Sequence, residues 1–285
     1  MTSECIAPAN AWLTANSSLT AEASQTLASF SVKLLAELPR TSPWRLGLAG
    51  APGTGKSTLA RLLGALRAQT ARPCVVLALD DYYLGRLERE RLARRQPLMR
   101  QRGVPGTHDF GRLLEDMHRL QSGLEGRVRL PRFHKGQDEQ DIRGRHLILT
   151  GEVPDLIIEG WCVGLPAQNA DALQEPVNAW EAEHDAEQQW RTQVNRKLAQ
   201  YSAALNSRMD RRWAILAPDW NCILEWRWWQ EQQRQKRLLE SPEAVADFLA
   251  RFQRLTQHLQ STAADWADLL ITLDRQHRPH MESTA

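Results

Sequence analysis

Eight consecutive residues constrain this chain more than any others. Gly50-Ala51-Pro52-Gly53-Thr54-Gly55-Lys56-Ser57 fits the pattern G-x-x-x-x-G-K-[ST] at every position. The apolar run Trp44 to Ala49 leads into it, and Leu59, Leu62, Leu63 and Leu66 follow at helical spacing over Ser57 to Gln69. A strand therefore feeds a glycine-rich turn that opens a helix, the context in which this pattern has chemical meaning. Glycines let the backbone curl with its N–H groups pointing inward, and the start of the helix adds the positive end of its dipole. Such a cradle takes phosphate oxygens, so Gly50 to Ser57 and the adjoining Thr58 are candidate contacts for the phosphates of ATP. Lys56 is placed to reach the β- and γ-phosphates, and the Ser57 hydroxyl to ligate Mg²⁺.

Strands and helices alternate along the rest of the chain. Val75 to Leu79, Asp155 to Ile158, Trp213 to Ala217 and Leu269 to Leu273 read as strands, the first two as buried parallel ones and the last as the closing strand. Helices are expected over Ala21 to Leu38, Phe110 to Leu120, Ala186 to Leu205, Cys222 to Leu239 and Ser241 to Gln260, the last with Ser241 as N-cap and Pro242 at its first position. The expected fold class is α/β: a three-layer P-loop NTPase-type fold with a mainly parallel sheet, helices on both faces and an inserted substrate-binding arm. Residues 1–40 read as an N-terminal helical extension and 41–285 as the P-loop domain. The arm covers about residues 82–110, and an irregular, polar excursion covers about 164–187.

The bulk numbers exclude several classes. A net charge of +2 lacks the basic excess of nucleic-acid binders, so no nucleic-acid partner is expected. Eleven tryptophans are scattered or lie beside apolar runs and read as core. Four distant cysteines, Cys5, Cys74, Cys162 and Cys222, form no zinc spacing and read as reduced thiols. Met1-Thr2-Ser3-Glu4 has no signal-peptide character and no apolar stretch approaches the ~20 residues needed to span a bilayer, so the expectation is a cytoplasmic protein without a membrane partner.

Acids at strand ends separate the nucleotide-binding classes. Asp80-Asp81-Tyr82-Tyr83 ends the run Val75 to Leu79, and Glu159-Gly160-Trp161 ends Leu156 to Ile158. In a doubly wound sheet, ligands sit beyond these ends. One carboxylate there can take the proton of a substrate hydroxyl, and another can hold magnesium or its water. Asp80 and Asp81 are the candidates for these two roles, Glu159 points into the same crevice as a magnesium ligand or its support, and Ser57, Asp80 and Glu159 make the expected metal set. The GTPase base-reading motif N-K-x-D is absent.

Together with Gly50 to Ser57, three stretches carry a resemblance: Leu79-Asp80-Asp81-Tyr82-Tyr83-Leu84, Arg102-Gly103-Val104-Pro105-Gly106-Thr107-His108-Asp109 and Ile158-Glu159-Gly160-Trp161. They resemble the D-glycerate 3-kinase family, which groups with phosphoribulokinase, uridine kinase and bacterial pantothenate kinase. Ala217 to Arg227, with its Glu225-Trp226-Arg227, and Phe252-Gln253-Arg254-Leu255-Thr256 extend the likeness over roughly residues 44 to 279. The resemblance implies Asp80 as catalytic base, Glu159 beside magnesium, and Arg227 on a lid helix facing the transferring phosphate. It also implies His108 and Asp109 on an arm that closes over the acceptor. Pro131-Arg132-Phe133-His134-Lys135 resembles the family's P-x-Y-D-K stretch, with His134 in place of the acid.

D-glycerate needs a cation for its carboxylate and partners for two hydroxyls. Arg102, Arg132 and Lys135 are the basic candidates, with Asp81 and Tyr83 beside them. The run Arg86, Arg89, Arg91, Arg94 and Arg95, interleaved with Glu88 and Glu90, reads as a solvated helix face. Asp274-Arg275-Gln276-His277 is placed near the adenine by position alone. The expected reaction is in-line transfer of the γ-phosphoryl group of MgATP to a small-molecule hydroxyl, most simply that of D-glycerate, by a monomer or homodimer. A nucleoside, pantothenate or sugar phosphate is the alternative acceptor, and an ATPase switch that transfers nothing is the alternative class.

Overall fold

The computed structural model describes residues 6–70, 73–233 and 237–283, so Cys5 lies outside it. Five strands run parallel: β1 (Arg45–Gly50), β2 (Cys74–Ala78), β7 (Asp155–Gly160), β8 (Arg211–Leu216) and β9 (Leu269–Leu273). A sixth, β10 (Pro279–Ser283), returns antiparallel along β9, so Leu269 to Leu273 is not the closing strand. The sheet order is β10-β9-β8-β1-β7-β2. Two small antiparallel ribbons stand outside it in the long excursion between β2 and β7: β3 (Glu125–Leu130) with β6 (Arg145–Thr150), and β4 (Phe133–His134) with β5 (Glu139–Gln140).

Helices cover both faces. On one lie α2 (Ala21–Leu34) and α3 (Lys56–Ala68), where Phe30, Leu34, Leu59 and Leu63 pack on Leu46, Leu48, Ile157 and Ile271. Outside them, α1 (Ile6–Asn16) buries Ala9 and Leu13 against Ala28, Leu62 and Leu66. On the other face lie α5 (Phe110–Leu120), α7 (Gln189–Asn206) and α9 (Pro242–Trp266), around Leu77, Leu156 and Ile158. β7, between β1 and the edge strand β2, is buried at all six positions because alternate side chains meet the two helical layers. The apolar run of β2 instead forms the sheet edge and is only half-buried, apart from Leu77. Arg145 of β6 reaches that edge and donates to the Val76 carbonyl at 2.8 Å, occupying an exposed strand acceptor.

Two further departures from the sequence reading have electrostatic causes. The expected solvated arginine face lies on α4 (Arg86–Ala93), yet Arg89 is buried. Its guanidinium donates to the Leu84, Arg100 and Asp138 carbonyls and pairs with the Asp138 carboxylate at 2.8 Å. The polar excursion over 164–187 contains α6 (Ala179–His184) and is fastened by a buried ion pair, Arg254 of α9 with Glu181 at 2.7 Å. Arg254 also donates to the carbonyls of Ala172 and Glu175, each at 2.6 Å. Weak hydrophobic patterning there reflects a segment held by charge rather than by apolar burial.

The helix α8 (Trp220–Gln232) ends before Leu239, and residues 234–236 of the longer expected helix lie outside the described residues. Ser241 caps α9 as expected, its hydroxyl accepting from Ala244 N at 3.2 Å. No helix among the described residues is long and apolar enough to cross a membrane.

Removing one partner of the Arg254–Glu181 pair leaves an uncompensated buried charge, which costs ~3–5 kcal/mol. Glu181→Ala is expected to lose stability of that order in urea unfolding. A loss within about 0.5 kcal/mol, the size of a neutral surface change, would contradict the anchoring role.

Candidate functional site

The parallel register places the strand ends level. Leu48 and Ala78 both pair with Glu159, so the end of β1, the end of β7 and the turn after β2 share one edge of the sheet. Gly50 to Gly55 leave that edge as a loop closed by Thr54, whose hydroxyl donates to the Ala51 carbonyl at 2.9 Å. Gly55 adopts φ +81°, a left-handed conformation that a side chain would strain. It stands at the N-cap of α3 without a capping side chain, so the first-turn amides remain available to an anion.

Charged groups gather in front of this loop. Lys56, in the first turn of α3, lies close enough to act electrostatically on both Asp80 and Glu159. The Ser57 side chain lies close enough to the Glu159 carboxylate to act against the rise in its pKa. Burial raises the Glu159 pKa, with Lys56 acting against that rise. Ser57 and Glu159 bring hard oxygen donors together beside the phosphate cradle, and Asp80 adds another, a donor set that suits Mg²⁺.

Asp80 sits in the 3₁₀ turn Leu79–Tyr82. Its Oδ1 accepts from the Tyr83 hydroxyl at 2.9 Å, and its Oδ2 holds the Lys135 ammonium at 2.6 Å. Burial would raise its pKa, but Lys135 and Lys56 together hold the carboxyl well below the usual carboxylate range. Asp81 turns elsewhere: its Oδ1 accepts from Phe133 N at 3.2 Å, tying β4 to the strand end. It thus positions Lys135, two residues further on.

The arm is a folded turn rather than an open loop. Gly103 N donates to the Thr107 hydroxyl at 3.1 Å, and that hydroxyl donates to the Val104 carbonyl at 2.7 Å. A Cβ on Gly103 would stand 2.4 Å from Cζ of Phe252, and its φ is +139°, so only glycine fits. The Gly103 carbonyl accepts from Trp161 Nε1 at 2.9 Å, and Trp161 meets Phe252 edge-on at 4.9 Å. Three separate motif segments therefore meet at one point and set the arm against β7.

This turn delivers His108 to the site. The ring stacks on Tyr83 with centroids 4.5 Å apart, and its Nδ1 lies 3.4 Å from the Tyr201 hydroxyl. Its Nε2 is buried and has no hydrogen-bond partner among the described residues. Burial lowers the His108 pKa from 6.5 to about 4, with Asp80 acting against the drop. Asp109, the next residue, caps α5 by accepting from Arg112 N at 3.0 Å.

The other basic candidates divide. Arg102 pairs with Asp138 and lies 5.5 Å over the Phe133 ring, while Arg132 is exposed. His134 is exposed as well, its Nδ1 accepting from Gln137 N at 3.1 Å. Arg227 pairs with Glu231 at 2.5 Å and lies over Phe248. Its helix nevertheless packs directly on the loop, since a Cβ on Gly53 would stand 3.4 Å from Cβ of Trp226. Lys56, Ser57, Asp80, Glu159, Tyr83, His108 and Lys135 thus come together, whereas Asp81, Asp109 and Arg227 are occupied with backbone amides or Glu231. Sequence reasoning missed Tyr201 and Asp138 as supports of this site, and quoted Trp161 in a motif without its bond to the Gly103 carbonyl. Their signal is a contact between segments distant in sequence, to which periodicity is blind.

No protein-family model matches the chain. An uncharacterized kinase of Schizosaccharomyces pombe, mug58, is 30% identical over 228 residues, a match covering 75% of this chain and 80% of that protein. The pantothenate kinase of Rhodopseudomonas palustris is 33% identical over 129 residues, but the match spans 39% of that enzyme. Among solved structures, D-glycerate 3-kinase from Cryptococcus neoformans var. grubii superposes with a TM-score of 0.71 at 23% identity, covering 93% of this chain and 100% of that one. At that identity the likeness shows a common fold. It bears out the α/β class read from the sequence. With the match to mug58 over four fifths of its length, the chain belongs to that family of P-loop small-molecule kinases.

Proposed function

We propose that this kinase transfers the γ-phosphoryl group of MgATP to a hydroxyl of a small carboxylic acid, D-glycerate, giving 3-phosphoglycerate. The observation that carries the reading is the Lys135 ammonium 2.6 Å from Asp80. A cation beside the candidate base suits an acceptor whose carboxylate lies a few bonds from its hydroxyl. Lys135 takes the carboxylate, and Asp80 orients the hydroxyl and receives its proton. The approach of an anionic acceptor draws Lys135 toward the carboxylate and leaves Asp80 Oδ2 for that hydroxyl. The Tyr83 hydroxyl keeps the Asp80 carboxylate in place throughout.

Phosphoryl transfer passes through a loose transition state, so positioning and charge compensation outweigh base strength. An Asp80 ionised at neutral pH is adequate for that task. Lys56 and the first-turn amides of α3 stabilise the transferring oxygens. Ser57, Glu159 and Asp80 would hold magnesium, which would supply further neutralisation of the phosphate charge. His108, neutral at physiological pH, offers its Nε2 to a second acceptor hydroxyl. Burial of Tyr83, His108 and Tyr201 keeps that side of the site dry, which limits wasteful hydrolysis of ATP. Pantothenate, also a hydroxy acid, is the second reading, and the partial sequence match to pantothenate kinase favours it.

Incubation with MgATP and D-glycerate is expected to yield phosphoglycerate by ³¹P NMR. Phosphorylation of pantothenate with none of D-glycerate would overturn the acceptor assignment. Lys56→Ala should lower kcat by about a thousandfold with unchanged circular dichroism, and Asp80→Asn by about 10²–10⁴-fold. Full turnover in either variant would remove that residue from the mechanism.

A buried His108 with a lowered pKa binds fewer protons folded than unfolded between pH 6.5 and about 4. Stability therefore falls as pH drops through that window, by on the order of 3 kcal/mol from this group. His108→Gln should abolish that share of the pH slope in urea melts taken across the window. Parallel pH profiles for the two proteins would contradict the buried, neutral assignment.

A further inference from the structure

We infer that Asp138 is a positioning residue for the acceptor. By bridging Arg89 and Arg102 it fixes the turn that carries Lys135, and so sets the preference of the site for a carboxylic acid over a neutral polyol. The inference rests on the acceptor reading above, in which Lys135 meets the substrate carboxylate.

Lys135 opens the turn between β4 and β5, and Asp138 ends it. The two strands have two residues each and pair as Phe133 with Gln140 and His134 with Glu139. A two-stranded ribbon of that size has little stability of its own. What grips the turn from outside therefore sets the place of the Lys135 backbone. A shift of ~1 Å in a positioning group can cost about a hundredfold in rate. The four-carbon stem of Lys135 lets its ammonium swing from Asp80 to a carboxylate, but only about a backbone that stays in place.

The grip comes from three arginines of the arm. Arg86 donates to the Gln137 carbonyl at 3.1 Å. Arg89 donates to the Asp138 carbonyl at 3.0 Å and to Asp138 Oδ2 at 2.8 Å. Arg102 donates to Asp138 Oδ1 and, through its other terminal nitrogen, to the Lys135 carbonyl at 3.3 Å. Each oxygen of the Asp138 carboxylate thus holds a different arginine, and one of those arginines holds Lys135.

Two features mark this bridge as built into the fold. The Arg89 side chain is only 3% exposed, so its charge relies on the Asp138 carboxylate rather than on water. Asp138 itself holds φ +55°, a left-handed conformation that aspartate and asparagine adopt more readily than most residues with a side chain. The bridge also explains why Arg102, a direct acceptor ligand by sequence, has no hand free for one. Its guanidinium is spent on Asp138, the Lys135 carbonyl and the Phe133 ring, so it acts on the substrate through Lys135.

The test measures kcat/KM for D-glycerate and for glycerol, which keeps the hydroxyls and lacks the carboxylate, together with KM for ATP. The full chain is compared with Asp138→Asn, Arg102→Met and the double variant. Asparagine keeps the left-handed turn and removes the charge. Arg102→Met leaves the Arg89–Asp138 pair intact, so it carries the test alone should Asp138→Asn fail to fold. Each folded variant is expected to lose on the order of tenfold in kcat/KM for D-glycerate, the scale of one weakened charged contact. Glycerol turnover and KM for ATP should stay within about twofold. The double variant should lose no more than the worse single one, because the two residues act through one bridge. An unchanged D-glycerate kcat/KM in either folded variant overturns the inference. So does an equal loss for both acceptors, which marks general damage to the site, and so do fully additive losses in the double variant. Wild-type protein that favours glycerol over D-glycerate, or phosphorylates neither, overturns the acceptor reading itself and the inference with it.

Discussion

The in-register parallel pairing of β1, β7 and β2 is the constraint from which the site follows. Because Leu48 and Ala78 lie opposite the same residue, Glu159, the three strands stop at one level. The phosphate loop, the buried Glu159 and the Asp80 turn then emerge side by side without any of them reaching toward the others. A slip of one residue would turn Glu159 to the other face of the sheet and bury Ile158 on the wrong side. The apolar residues that flank Glu159 in β7, buried on alternate faces, hold the register against that slip.

Charge is handled differently in the two halves of the molecule. Near the strand ends, Lys56 and Lys135 outweigh the burial of Asp80 and keep it ionised, while burial and the neighbouring Asp80 raise the pKa of Glu159 against the pull of Lys56. Away from the site, buried ions serve as fasteners. Arg254 with Glu181 ties the polar excursion to α9, and Arg191 with Asp185 ties the end of that excursion to α7. Arg89 gathers backbone carbonyls of the arm around one guanidinium. In each case the cation satisfies several carbonyls as well as one carboxylate, which offsets the desolvation of the pair.

Several motif residues that suggest chemistry turn out to serve as framework. Gly103 and Phe252 occupy each other's space, and Trp161 donates to the Gly103 carbonyl. Asp81 anchors β4, and Asp109 caps α5. These contacts bring His108 and Lys135 to Asp80 from segments 28 and 55 residues further along the chain, as counted on the sequence. The resemblance motifs therefore describe a rigid surround for the site as much as the reacting groups.

Local patterns determined the phosphate loop, the strands and helices around it, the strand-end acids and the capping of α9. Each of these depends on residues a few positions apart: glycine spacing, apolar periodicity and a serine before a proline. Tertiary structure alone decided the edge position of β2, the antiparallel return of β10, the two ribbons between β2 and β7, the burial of Arg89 and the exposure of Trp229. It also decided which basic residue meets Asp80: Lys135 does, whereas Arg102 is taken by Asp138 and Arg227 by Glu231. The physical reason is the same throughout. A short-range pattern records what a residue prefers, whereas a charge or an indole finds its partner only when distant segments compete for the same space.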